Sequence, residues 1–265
     1  MNLEIEGRMA LVTGAAGGLG KATAKRLADE GVRLFLTDTD EDAVASCASD
    51  LHESVVGYST ADLTDISSIN NLAGSLTELG GADILIHLAG ITGAKGDPLE
   101  MDDDAWMSCW NTNFMSAVRL CRKIVPTMVE KKWGRVVLTV SENAVQPYPD
   151  EAVYNASKAA LLSYTKALSL PYGPKGVLVN AVMPAFIESP MTDGMMDSLA
   201  EEKGISREEA VDQFLENERP YLSLKRRGRA DEVAAVVALL ASDIATFTNG
   251  SAWRADGGAV GAINI

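Results

Sequence analysis

Short, unbroken apolar runs alternate with longer amphipathic stretches along this chain, and that alternation restricts its fold more than any other feature. "MALVT" (9–13), "VRLFLT" (32–37), "SVVGY" (54–58), "DILIHLAG" (83–90), "RVVLTV" (135–140), "VLVNAV" (177–182) and "GSAWRAD" (250–256) read as strands. Most lack polar alternation, as strands covered on both faces do. Helical patterns fill 19–30, 41–51, 65–79, 102–131, 152–170 and 231–242. The recurring βαβ order predicts an α/β fold, a single doubly wound parallel sheet of about seven strands with helices on both faces. With no internal repeat or low-complexity linker, residues 1–265 read as one domain. One connection, 188–220, is long enough to imply a function. Its patches "MMDSLAEEKG" and "SREEAVDQFLENE" predict a helical lid.

Charge and composition narrow the partners. With 23 basic and 37 acidic residues the net charge is −14, which repels nucleic-acid phosphates and anionic membrane surfaces. No apolar stretch reaches the roughly 18 residues of a membrane span, and the N-terminus carries no signal-peptide run. Cys47, Cys109 and Cys121 form no paired spacing and read as free thiols in a reducing, cytoplasmic setting. His52 and His87 lack metal-ligand spacing, so no metal is expected.

The first strand runs into "TGAAGGLGKAT" (13–23), a glycine-rich turn that opens a helix. Helix-start N–H groups and the helix dipole attract anions there. A triphosphate loop requires a glycine at Ala15 and a hydroxyl at Ala22, and neither is present. Gly14, Gly18 and Gly20 suit a dinucleotide pyrophosphate instead: they turn the chain, admit phosphate against backbone and let the helix approach the sheet. Asp38 ends the second strand, where a carboxylate bonds the adenosine ribose and repels a 2′-phosphate. Position 17 is Gly17 rather than a basic residue, so the pattern favours NAD over NADP. The alternative is that Asp38 only starts the turn "TDTDED".

Tyr154 and Lys158 stand four apart on a helical stretch and share a face. An ammonium beside a phenol stabilises phenolate and lowers its pKa, so that the tyrosine can exchange a proton with substrate. Ser141, at the end of a buried strand, is placed to hydrogen-bond a substrate oxygen.

Taken together, Thr-Gly-x3-Gly-x-Gly, Asp62-Leu63, Asn113, Ser141 and Tyr-x3-Lys resemble the short-chain dehydrogenase/reductase family over roughly residues 8–258. The resemblance implies a Rossmann-like NAD(P)-binding fold and a hydride exchange between cofactor and a secondary alcohol or ketone. It makes Tyr154 the general acid/base and gives Ser141 the task of orienting substrate. Lys158 would bind the nicotinamide ribose, and Asn113 would disturb its helix and hold a relay water with Lys158. Gly14, Gly17, Gly18, Leu19 and Gly20 would surround the pyrophosphate, while Asp62 and Leu63 would meet adenine. Ala89 and Gly90 would lie along the adenosine, and Pro184, Ile187 and Ser189 would border the carboxamide. Relatives of this kind are commonly dimers or tetramers; helices 102–131 and 152–170 and the ending "GGAVGAINI" would form the contacts.

The chain departs from the family in two places. "HLAG" (87–90) replaces Asn-Asn-Ala-Gly, so His87 reads as a buried structural residue, and Ala185 replaces glycine after Pro184. The substrate is expected to be a small alcohol or ketone of apolar character, because the lid carries Met191, Met195, Met196, Leu199, Phe214 and Leu215. Those side chains either line the pocket or pack the lid on its own domain. Glu142, Asn143 and Gln146 either reach the substrate mouth or form a solvated loop. Two other functions remain open: an NADPH-dependent 3-oxoacyl reductase, disfavoured by Asp38, Gly17 and the net charge, and a non-catalytic dinucleotide sensor.

Overall fold

The computed structural model describes residues 2–263. Its strands are β1 (Met9–Thr13), β2 (Arg33–Asp38), β3 (Val55–Thr60), β4 (Ile84–His87), β5 (Gly134–Thr139), β6 (Val177–Pro184) and β7 (Ala252–Ala255). They form one seven-stranded sheet in the order β3-β2-β1-β4-β5-β6-β7, with every pair parallel. The order of strands reverses between β1 and β4. In such sheets ligands bind beyond the strands' carboxyl ends at that switch.

The helices are α1 (Gly18–Asp29), α2 (Glu41–Asp50), α3 (Ile66–Glu78), α4 (Asp103–Trp110), α5 (Ser116–Lys131), α6 (Ala152–Tyr172), α7 (Pro190–Lys203), α8 (Arg207–Glu218) and α9 (Ala230–Leu240). Successive strand side chains point to opposite faces. Leu11 and Leu85 therefore join α3, α5 and α6 in one core, while Ala10, Val12, Ile84 and Ile86 join α1, α2 and α9 in the other. The inner strands are buried along their length, which is why they read as unbroken apolar runs. Strand β3 is an edge, and its Tyr58 is half exposed.

Side-chain caps set several helix starts: Asp40 accepts from the Ala43 N–H at 2.9 Å, and Asp65 accepts from the N–H groups of Ser67 and Ser68. The long connection forms α7 and α8, each opened by a reciprocal capping pair, Ser189 with Thr192 and Ser206 with Glu209. Beneath them Phe186, Met196, Leu215, Leu222 and Ala259 make a third, smaller core. Ala259, from the ending "GGAVGAINI", thus packs within its own chain; Asn264 and Ile265, the last residues of that stretch, lie outside the described residues. No helix among the described residues is long and apolar enough to cross a membrane.

Residues 102–131 are not one continuous helix. Between α4 and α5 the chain widens into a π-helical turn, Asn111–Met115. Such bulges re-aim a side chain, and here the side chain is that of Asn113.

Candidate active site

The glycine turn and the loop after β4 meet at the sheet switch. Gly14 has φ +64°, and a Cβ there would stand 2.9 Å from the Ala89 nitrogen. A Cβ on Gly20 would collide with the Gly14 carbonyl oxygen and lie 2.7 Å from Ala15 Cα, so only glycine lets α1 start so close to β1. Around Gly17 and Gly18 the space is freer, with nothing nearer than 3.4 Å to a built Cβ. Their backbone lines a cavity of about 550 Å³ together with Leu19, Asp38, Asp62, Leu63, Ala89, Gly90 and Ser189. Asp38 Oδ2 accepts from the Ala16 N–H at 2.9 Å, tying the end of β2 to the glycine turn. Asp62 Oδ1 accepts from the Thr64 N–H and hydroxyl. Open backbone at a helix start, a carboxylate at the end of β2 and a cleft of this size fit a dinucleotide.

Gly20→Ala is expected to destabilise the fold by about 1–3 kcal/mol through overpacking. It should also weaken binding of a dinucleotide probe, NADH or NADPH, at least about tenfold, about 1.4 kcal/mol. Thermal unfolding and a fluorescence titration with that probe check both.

A second cavity, of about 470 Å³, adjoins the first and shares Leu19, Leu88, Gly90, Ile91, Ser189 and Met191 with it. It contains Ser141 from beyond β5, Tyr154 and Lys158 from α6, and Pro184 and Ile187 from the end of β6. Asn113 sits just behind its wall. Its Oδ1 accepts from the Ile91 N–H at 2.8 Å, and its Nδ2 donates to the Ile91 carbonyl at 2.8 Å and to Ser157 Oγ at 3.0 Å. Lys158 is buried and donates to the Thr139 carbonyl at 2.8 Å. A Cβ on Gly90 would lie 3.1 Å from Asn113 Oδ1 and 3.5 Å from Lys158 Nζ, so glycine keeps these groups close. Ser189 caps α7 by accepting from the Thr192 N–H, so one residue borders both cavities and starts the lid.

The electrostatics differ from the sequence expectation for the tyrosine. Lys158 Nζ lies 5.6 Å from the Tyr154 ring centre, but it does not bring the phenol down. Burial, and then the Glu142 charge, hold Tyr154 above the ordinary phenol value; the Ser141 hydroxyl opposes them. Burial also lowers Lys158 to about 8. Desolvation outweighs the charge pairing that helical spacing alone suggests. His87 is fully enclosed, with Nδ1 3.0 Å from Thr13 Oγ1 and Nε2 3.1 Å from Ser116 Oγ. Burial lowers it to about 3, so it is a neutral part of the sheet.

The wall opposite the glycine turn is charged. Glu142 and Asn143 are buried and line the cavity rather than forming a solvated loop; Gln146 lies outside that lining. Three further residues there escaped the sequence reading: Lys95, Glu151 and Arg219. Glu151 Oε1 accepts from Lys95 at 2.7 Å and from Arg219 at 3.2 Å, and Oε2 accepts from Asn143 Nδ2 at 2.6 Å. Burial pushes the Glu151 carboxyl up, but these three partners outweigh it and leave it lowered. Glu142 lacks such partners: Arg219 Nε stays 3.8 Å away, and burial raises Glu142 to about 7. Arg219 also stacks on Tyr148, 3.5 Å from the ring centre. A signal for Glu151 was available, since it lies three residues before Tyr154 and extends the same helix face. Arg219 had none, because it arrives from the far end of the lid.

The lid side chains divide. Met191 and Met195 line the cavity, whereas Met196, Leu199, Phe214 and Leu215 pack the lid's own core.

Comparison with known proteins agrees with this geometry. Residues 8–199 match the short chain dehydrogenase family. An uncharacterized oxidoreductase of Bacillus subtilis is 35% identical over 264 residues, covering 98% of each chain. The 2-dehydro-3-deoxy-L-rhamnonate dehydrogenase (NAD(+)) of a Sphingomonas species is 34% identical, covering 95% of each. Among solved structures, L-sorbose reductase from Gluconobacter frateurii, complexed with NADPH and L-sorbose, superposes with a TM-score of 0.93 at 30% identity, covering 99% of this chain and all of that one.

Proposed function

The chain belongs to the short-chain dehydrogenase family and is an NAD(P)-dependent oxidoreductase; on that premise we propose that it interconverts a hydroxylated secondary alcohol and its ketone, using NAD. The observation that carries this reading is one cleft that joins the open glycine turn to Ser141, Tyr154 and Lys158. When bound, the nicotinamide supplies or accepts the hydride. The remaining tasks fall to the protein. Tyr154 exchanges the proton at the substrate oxygen. Ser141 aligns that oxygen by hydrogen bonding. Lys158 and Asn113 hold the ribose side of the cleft and pass the proton outward. The lid, through Met191 and Met195, excludes water.

Two parts of this reading differ from a plain apolar site. Glu142, Asn143, Glu151, Lys95 and Arg219 give the substrate wall hydrogen-bonding capacity that an apolar ligand leaves unused. Two of these relatives are named for, or hold, hydroxylated compounds, and this supports the same class. On the cofactor the relatives diverge: one is named for NAD(+), the other holds NADPH. The Asp38 carboxylate at the ribose end supports NAD here, because it would face a 2′-phosphate with like charge. We place the contacts of a dimer or tetramer on α4–α5 and α6, where Met107 and Leu170 are exposed.

The test is turnover with NAD⁺ and NADP⁺ across polyols, sugar acids, aliphatic and cyclic alcohols, and hydroxyacyl thioesters. Turnover confined to the hydroxylated compounds supports the reading; preference for thioesters with NADPH overturns it. Asp38→Ala is expected to lower the NAD-over-NADP ratio of kcat/KM by at least about tenfold, or about 1.4 kcal/mol of discrimination. An unchanged ratio would show that Asp38 is not the selector. Asp38→Asn, which keeps an acceptor for the Ala16 N–H, separates charge from loop support.

A further inference from the structure

Ser141 has a single hydroxyl proton, and its neighbours decide where that proton points. Its Oγ lies 2.6 Å from Glu142 Oε2 and 3.1 Å from Asn143 Oδ1. Asn143 cannot turn to offer a donor. Its Nδ2 is held by Glu151 Oε2 at 2.6 Å and by Asn155 Oδ1 at 2.8 Å, so its Oδ1 faces Ser141 only as an acceptor. With Glu142 ionised, both side chains around the serine are acceptors, and the hydroxyl proton is committed to them. One Oγ lone pair accepts from the Asn143 N–H at 3.3 Å, and the other is left for an alcohol, which donates. With a proton on Glu142, that carboxyl donates to Oγ instead. The serine proton then has only the longer 3.1 Å contact to Asn143 Oδ1, and a ketone oxygen, which only accepts, can take it over.

We propose that Glu142 is a positioning residue whose protonation decides whether Ser141 receives the ketone or the alcohol. The inference rests on the reading of Ser141 as the group that meets the substrate oxygen. Protons balance without ionising the serine: Glu142 exchanges one proton with solvent, and the proton of the hydride reaction stays with Tyr154.

The surrounding charges permit this. Arg219 faces Glu142 from the end of α8, but its Nε stops at 3.8 Å and is buried without a hydrogen-bond partner. That guanidinium instead meets Glu151, which also takes Lys95 from the loop after β4. From α6 comes Tyr154, and from the turn before it Tyr148 and Glu151; the phenols stay neutral, and the Glu151 charge disfavours a further negative charge. The one cation within reach is therefore largely engaged elsewhere, and burial leaves Glu142 titrating at about 7, where both of its states are populated at neutral pH.

The experiment measures KM for the ketone and for the alcohol of the pair found by the substrate panel, from pH 5.5 to 8.5 at saturating cofactor. In the unaltered enzyme the ketone KM is expected to rise about tenfold per pH unit above the Glu142 titration. The alcohol KM should fall through the same inflection. In Glu142→Gln, whose amide offers both a donor and an acceptor, both KM profiles should lose the inflection near 7, while kcat at the pH optimum stays within about a factor of ten. Glu142→Asp, which keeps a titrating carboxyl, should retain an inflection. A Glu142→Gln enzyme that turns over with the original KM profiles overturns the inference alone. Equal activity in Ser141→Ala overturns the reading beneath it.

Discussion

Tyr154→Phe is expected to lower kcat by a factor of about 10²–10⁴, the usual worth of a positioned acid/base. NADH affinity should stay within about a factor of two, since the lost hydroxyl does not form the glycine turn or the Asp38 end of the cleft. The aromatic ring remains to pack against α6 and the cavity wall, so stability should move by no more than about 1 kcal/mol. This separation matters because the phenol is held above its ordinary value by burial and by Glu142 in the ligand-free protein. A tyrosine that resists ionisation is a poor base on its own. In the proposed reaction it would serve as a conduit, giving its proton to the substrate oxygen and recovering one from the Lys158 side of the cleft. Lys158→Ala, by contrast, should damage both turnover and cofactor binding. Unchanged turnover in Tyr154→Phe would remove the acid/base role from Tyr154, and no turnover in either protein, with dinucleotide still bound, would move the chain to the class of non-catalytic dinucleotide sensors. Stopped-flow hydride transfer and fluorescence titration on the same preparation distinguish the two.

Much of this was legible because it is local. The strands of the sheet carry their burial in their own residue types, and Leu11, Val12, Leu85 and Ile86 need no knowledge of their partners to read as doubly covered. The glycine turn is likewise local, since its geometry depends on residues 14–20 meeting one another and Ala89. The break in the helix at Asn113 is different. Helical periodicity runs through residues 102–131, and the π-helical turn is fixed by the Ile91 peptide, which occupies both polar ends of the Asn113 amide. The charged wall is harder still. Glu142 and Asn143 stand in a short segment that fits a solvated loop equally well until Glu151 and Arg219 close over it from separate elements. The lid methionines show the same limit: Met195 and Met196 are adjacent in sequence, yet one lines the cavity and the other is core. The burial of the tyrosine is hidden for a related reason, because spacing on a helix reports proximity but not desolvation.

Glu142→Gln is expected to stabilise the protein at pH 8 by about 3 kcal/mol, the worth of moving a carboxyl from 4.5 to about 7 at about 1.4 kcal/mol per unit. The folded state holds the Glu142 proton more tightly than the unfolded chain. Its contribution is therefore fully present below pH 4.5 and is lost as pH rises through about 7. In this size of domain the gain corresponds to a midpoint about 5 °C higher at pH 8, shrinking toward zero near pH 4.5. His87 works in the opposite sense. Lowered from 6.5 to about 3, it stabilises above 6.5 and loses that contribution as pH falls, so it would mask the effect in a single profile. The difference between the two proteins cancels His87, and it cancels Lys158, whose protonation is complete below about 8. Matched melting curves from pH 4.5 to 8.5 make the measurement. A flat difference would mean that Arg219 closes its 3.8 Å gap and holds Glu142 as an anion. A difference that opens with pH would identify a carboxyl kept beside Ser141 at a cost in stability, as expected of a group retained for what its proton does to the serine rather than for the fold.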